Sequence, residues 1–245
     1  MKVIIKTLII LGCLLFTTTA VSQIGLKRRF FTDFRIGVNS SEMDIKDGNW
    51  GKKPKIGFHV GLLVSYNFYD NFRIQSGAFL TKKGMKQKYR DTVEDAPPSL
   101  TIRNYDILYT YDANYVQIPL MLGWESEEFK SWQFNISGGI YGAWGFRGET
   151  KGRGSIITTT GSYTGTDNVS VKYDTFSGSV LKKFDYGMIG SIGVLYEIYT
   201  INLTYEYGLY NISNGFQLYD TSSNQTKSLK DLKNRNLTLS VGFRF

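Results

Sequence analysis

The chain is poor in the residues that most soluble chemistry needs. It holds one cysteine, one histidine and four prolines. Cys13 lies in the first apolar stretch, so the rest of the chain has neither a disulfide nor a thiol nucleophile. After Gln23 there is no run of about 18 consecutive apolar residues, which excludes a membrane-spanning helix. The sequence shows no metal-ligand cluster, no nucleotide-binding glycine motif and no nucleophile elbow, so no cofactor is expected. Nucleic-acid motifs are absent as well, and no nucleic-acid partner is expected.

At the amino end, Lys2 and Lys6 give a charged start, Leu8 to Phe16 an apolar core, and Ala20 and Ser22 small residues before Gln23. This is the pattern of a signal peptide over 1–22. Leu11-Gly12-Cys13 outlines a lipobox, but apolar residues continue past the cysteine, as in an ordinary export signal. The domain over 23–245 keeps 27 basic residues against 21 acidic ones once Lys2 and Lys6 are removed, from 29 against 21 in the whole chain. That surplus is spread out and suits outer membrane lipid and lipopolysaccharide headgroups.

What is abundant is Tyr, Phe and Gly, at 17, 16 and 26 residues. They fall on a period of two. In RNLTLSVGFRF at 235–245, Leu237, Leu239, Val241, Phe243 and Phe245 alternate with Asn236, Thr238, Ser240, Gly242 and Arg244. A strand with one oily and one polar face results. Seven earlier stretches repeat the pattern: Phe34 to Val38, Ile56 to Phe68, Phe72 to Leu80, 114–125, Trp132 to Arg147, 184–198 and Ile201 to Leu209. Eight strands of this kind predict an all-β fold, an eight-stranded antiparallel up-and-down transmembrane β-barrel.

The connections alternate in length. Those at about 40–54, 82–113, 148–183 and 212–234 are long and polar, and those at 69–71, 126–131 and 199–200 are short. Long extracellular loops and short periplasmic turns are expected, with both termini periplasmic. Aromatic residues flank the short turns, among them Trp124, Trp132, Tyr196 and Tyr199, as an interfacial girdle would. Pro119 falls inside a strand that has no edge, and predicts a bulge or a lost ladder bond.

The runs YVQIPLMLGW, FDYGMIGSIG, TYEYGL and SVGFRF resemble the PorT-type outer-membrane β-barrel proteins of Bacteroidetes-like bacteria. The resemblance covers most of the domain and implies an eight-stranded barrel in a Gram-negative outer membrane. The family's namesake is linked to secretion of proteins across that membrane.

An eight-stranded barrel has an interior that side chains fill. Arg35, Arg73, Arg147 and Arg244 are expected to face inward and to balance Glu125, Asp185, Glu197 and Glu206, because buried charges need partners. The same residues could instead line a narrow pore or a small-ligand site. His59 also points inward; it is either part of that polar network or, with Asp185 or Glu206, an acid–base pair. The second long loop carries Lys82, Lys83, Lys86, Lys88 and Arg90, a basic surface for lipopolysaccharide phosphates, for another envelope or secretion protein, or for solvent alone. The third, rich in Gly, Ser, Thr and Tyr, is read as a possible hairpin above the membrane. The expected role is structural or interactive, not enzymatic.

Overall fold

The computed structural model describes residues 29–45, 52–95, 101–177, 180–215, 217–220, 225–228 and 231–245. The expected signal segment and its lipobox-like triplet lie outside them. Within the described residues the chain forms strands β1 (Phe30–Ile45), β2 (Lys52–Tyr69), β3 (Phe72–Glu94), β4 (Thr101–Glu125), β5 (Trp132–Thr160) and β6 (Tyr163–Tyr173). Then follow β7 (Phe184–Tyr196), β8 (Tyr199–Gly208), β9 (Gln217–Asp220), β10 (Gln225–Ser228) and β11 (Leu232–Arg244).

Eight of these close a ring in the order β1, β2, β3, β4, β5, β7, β8, β11, with every pair antiparallel. The seam sets Phe34 opposite Phe243 and Val38 opposite Leu239. The expected eight-stranded barrel is therefore the fold. Closure leaves no row of unpaired N–H and C=O groups along the ring, the condition that hydrocarbon imposes on any spanning strand.

Burial is inverted relative to a soluble core. Ile140, Phe134, Ile118 and Val241 point out of the ring and are 59%, 60%, 57% and 52% exposed, while Ser65, Gln75, Gln117, Asn202 and Asn236 are buried inside it. Such a continuous apolar exterior belongs in lipid. Its height follows from two aromatic rims. Trp132 and Tyr196 (centroids 4.7 Å apart) and Tyr199 and Phe243 (5.6 Å) mark the short-turn end; Trp144 and Phe184 (6.5 Å) mark the other. Along β5, Trp132 to Trp144 climbs about 30 Å at ~3.4 Å per residue and a tilt near ~40°, which matches a hydrocarbon core.

The short connections are tight. Asp70 and Glu197 occupy left-handed backbone at φ 28° and 53° where β2 turns into β3 and β7 into β8. Pro119 stays in register opposite Tyr141 on β5, but on the β3 side the ladder is interrupted between Ser76 and Phe79 without a shift. The Ser76 hydroxyl donates to the Pro119 carbonyl at 2.9 Å. The result is the lost-ladder form of the expected defect.

Two of the expected loops are largely strand. β3 and β4 run straight through most of 82–113, and β5 with β6 through much of 148–183. Together they form a four-stranded sheet standing on the ring, with Tyr89 opposite Ile107, Tyr109 opposite Gly152 and Gly152 opposite Val171. The third long connection folds back as β6 on β5, a strand additional to the barrel eight. The last contains the hairpin of β9 and β10.

Bulges adjust the ring where it meets the sheet. One lies in β2 between Pro54 and His59. There β1 reaches across: the Asn39 amide donates to the Lys82 carbonyl at 3.0 Å, and the Ser41 hydroxyl donates to Gly84 O at 3.0 Å and accepts from Gly84 N at 2.8 Å. The other inserts Phe146 opposite Asn114 and Tyr115. Beside it, Gly145 leaves room for the Phe176 ring, which a Cβ there would approach to 2.2 Å and displace. Phe176 descends from the connection after β6 and packs edge-on to Tyr115 at 5.8 Å.

Candidate functional site

The inward faces of the ring bring charged side chains together at two levels. At the short-turn end five of them form a chain. Arg35 Nη2 contacts Asp33 Oδ2 at 2.8 Å, Asp33 Oδ1 accepts from Arg244 Nε at 2.8 Å, Arg244 Nη1 meets both Glu125 oxygens at 3.0 and 2.8 Å, and Glu125 Oε2 accepts from Arg73 Nη1 at 2.5 Å. Three guanidinium groups and two carboxylates leave one positive charge. Arg73, Arg35, Asp33 and Arg244 are all buried. Each acid bridges two cations, the arrangement that offsets the desolvation of both.

Toward the other end, Lys83 is fully buried between two acids, 2.7 Å from Glu206 Oε2 and 3.6 Å from Asp185 Oδ2. Its ammonium also lies 4.4 Å from the Tyr141 ring centroid. The acids are held in turn: Gln117 donates to Glu206 at 2.9 Å, and Asn234 and the Tyr141 hydroxyl donate to Asp185 at 2.9 and 3.2 Å. One cation against two acids leaves one negative charge.

His59 is buried beside this level, with its ring stacked on Phe79 at 4.4 Å. It makes no hydrogen bond to Asp185 or Glu206; Glu206 is held by Lys83 and Gln117, and Asp185 Oδ2 by Lys83, Asn234 and Tyr141. The alternative reading of His59 as an acid–base pair with either residue therefore lacks its hydrogen bond. No group of three or more His, Cys, Asp or Glu side chains converges as a metal site among the described residues.

Of the residues expected in the lumen, Arg35, Arg73, Glu125, Asp185, Glu206, Arg244 and His59 face inward. Arg147 does not. The bulge at Phe146 shifts the alternation by one, and Arg147 emerges exposed beside Asn114. Glu197 is also outside, because β7 ends at Tyr196 and Glu197 forms the turn. Of the basic loop residues, Lys86 and Arg90 are exposed and Lys82 and Lys88 partly so, all on the outward face of the sheet. Lys83 is the correction: its place on β3 turns it into the lumen.

Asp33 and Lys83 were missed as lumen charges, although the signal existed. Extending the inward alternation back from Arg35 reaches Asp33, and forward from Arg73 and Gln75 reaches Lys83. On the sheet, the Glu149 carboxylate sits between Lys151 Nζ at 2.5 Å and Lys172 Nζ at 2.7 Å, and their hydrogen bonds bring its pKa down to about 2. Lys55 and Lys82 both contact Asp112.

Several solved structures resemble the fold. Ail of Yersinia pestis is 12% identical with a TM-score of 0.34, covering 89% of this chain and 100% of its own. OprG of Pseudomonas aeruginosa is 15% identical with a TM-score of 0.44, covering 90% and 98%. The outer membrane protease OmpT of Escherichia coli is 12% identical with a TM-score of 0.33, covering 91% and 99%. Among curated proteins no sequence matches. Residues 21–214 match the outer membrane protein beta-barrel domain family, and the chain belongs to that family.

Proposed function

We propose that this protein is a non-enzymatic barrel that holds a four-stranded sheet outside the cell as an interaction platform for other envelope components. In this reading the hairpin end faces outward and both termini are periplasmic. Lipopolysaccharide, outer membrane lipid and secretion or assembly proteins are the partner classes that fit. The resemblance to PorT-type barrels adds protein secretion as a process that such a platform would assist.

The carrying observation is the contrast between lumen and sheet. Every lumen acid is already engaged by protein cations, as in the Arg35–Asp33–Arg244–Glu125–Arg73 chain, so the interior supports a plug. The sheet instead offers one solvent-facing outer side, with its inner side buried at Met85, Ile107 and Tyr111, and, along β6, a row of backbone groups that no described strand pairs.

Gel mobility of the refolded protein with and without boiling tests the barrel, and partner capture by chains with and without 150–173 tests the platform. Equal capture by both chains would sink it. A non-enzymatic role further predicts that His59→Ala leaves any cellular phenotype unchanged, and planar bilayers should show no conductance that responds to replacing Glu206.

A further inference from the structure

The outward face of the sheet is laid out in rows by the strand register. Leu80, Val116 and Trp144 make the last apolar row, and the next carries Lys82, Asn114 and Arg147. Past a row with Asp112 and Glu149 come Lys86, Lys151 and Lys172, and then Lys88 and Arg153. At ~3.4 Å per residue and a tilt near ~40°, the three cationic rows stand roughly 5, 16 and 21 Å above the last apolar row. Lys183 joins the lowest level from the connection just before β7, where its carbonyl accepts from Gly145 N at 2.7 Å.

The acids of this band are spoken for, Asp112 by Lys55 and Lys82, and Glu149 by Lys151 and Lys172. Arg147, Lys86, Arg153 and Lys183 are exposed and have no carboxylate partner among the described residues. Arg147 is there because the Phe146 bulge turned it out of the lumen. The opposite rim is unlike this one: its turns expose Asp70, Glu127, Glu128 and Glu197 against Lys130. Cations are therefore gathered at one membrane boundary, on one flank.

We propose that this flank binds a phosphorylated glycolipid of the leaflet from which the sheet rises, the lipid A portion of lipopolysaccharide. Arg147, Lys82 and Lys183 meet the phosphates next to the acyl chains, and Lys86, Lys151 and Arg153 meet anionic groups of the sugar core above them. An apolar row directly beneath a cationic row fits a ligand that has chains below and phosphates above. A soluble polyanion would need the charges and not the apolar row. The inference rests on the outward orientation of the hairpin end proposed above.

The test places the folded protein in nanodiscs of phosphatidylethanolamine and phosphatidylglycerol containing bis-phosphorylated or dephosphorylated lipid A, and counts retained lipid by native mass spectrometry. The expected result is selective retention of the phosphorylated form. In the triple variant Lys82→Gln, Arg147→Gln, Lys183→Gln, apparent affinity should fall roughly a hundredfold, while the heat-dependent mobility shift persists. Equal retention of both lipid forms, or of one form by both proteins, would overturn the proposal. So would full competition by sucrose octasulfate together with tight binding of that sugar in discs without lipid A, since the face would then serve a free polyanion. A wild-type band with no heat shift would sink the barrel platform too; a normal shift without lipid A selectivity would sink this inference alone.

Discussion

The lower and upper halves of β3, β4 and β5 are single strands passing through two solvents. Below Lys82, β3 turns Phe72, Ile74 and Leu80 outward and Arg73 and Gln75 inward; above it, Lys86, Lys88 and Arg90 face outward while Met85 and Tyr89 face inward. In β3 and β4 the period of two never changes, only which face is apolar, while in β5 the Phe146 bulge shifts it by one. Hydrocarbon outside selects one pattern and water outside the other. The crossover at Leu80 and Lys82 is thus the membrane boundary written into one strand.

Breaking the lumen should show the largest contrast between the halves. Lys83→Met removes the cation shared by Glu206 and Asp185 and leaves two buried carboxylates, at an expected cost of about 3–5 kcal/mol. Lys86→Met, on the outward face of the same strand, should stay within about 0.5 kcal/mol. Urea titration of both variants in detergent or lipid checks the pair. A similar loss in each would mean that Lys83 is not buried as described.

The lipid face gives the next largest difference. Ile140→Arg puts a charge near mid-membrane and should cost about 2–4 kcal/mol. Leu108→Arg places the same change on the outward face of the sheet, where the expected effect is near zero, within about 0.5 kcal/mol. Matching unfolding curves in lipid bilayers would contradict the boundary at Lys82.

A smaller change sharpens the comparison from the turn end. Glu197 holds φ 53°, a backbone region costly to a residue with a Cβ. Glu197→Gly should stabilise the barrel by up to about 1 kcal/mol, read as a higher unfolding midpoint. The smallest expected effect lies in the sheet and depends on pH. The folded-state pKa of Glu149 is lowered from 4.5 to about 2 by Lys151 and Lys172, so its stabilising contribution is complete above about pH 4.5 and is lost as pH falls toward about 2. Resonances of Val171 and Tyr173 should shift in that window while those of the ring do not.

The ring was legible because lipid enforces alternation on one face. Residues such as Ile118, Leu120 and Leu122 announced β4, and their spacing fixed strand number and closure. The upper sheet was not legible to the same test. Around Lys82 to Arg90 the outward positions are basic and the inward ones mix Lys83, Met85, Gln87 and Tyr89, a pattern that composition alone presents as a polar loop. Of the charged lumen, Arg35, Arg73, Asp185, Glu206 and Arg244 follow from parity within strands. Arg147 defeats parity because one inserted residue inverts it, and Glu197 because a strand end was placed two residues too late. His59 was correctly turned inward, but parity on one strand cannot give its distance from acids on others.

The Asp33–Arg244 contact also bears on how the ring assembles. Its partners stand 211 positions apart in sequence, and it joins the first barrel strand to the last. Contacts of such long separation form late, because the chain between them must already be ordered for the loop entropy to be met. Until β1 and β11 meet, both carry open backbone edges, and Asp33 lacks one of its two guanidinium neighbours. The ion pair is therefore expected to latch the final step of closure: an Arg244→Gln chain should form its early hairpins at normal rates yet close its seam slowly, read as a delayed appearance of the heat-shiftable band during refolding.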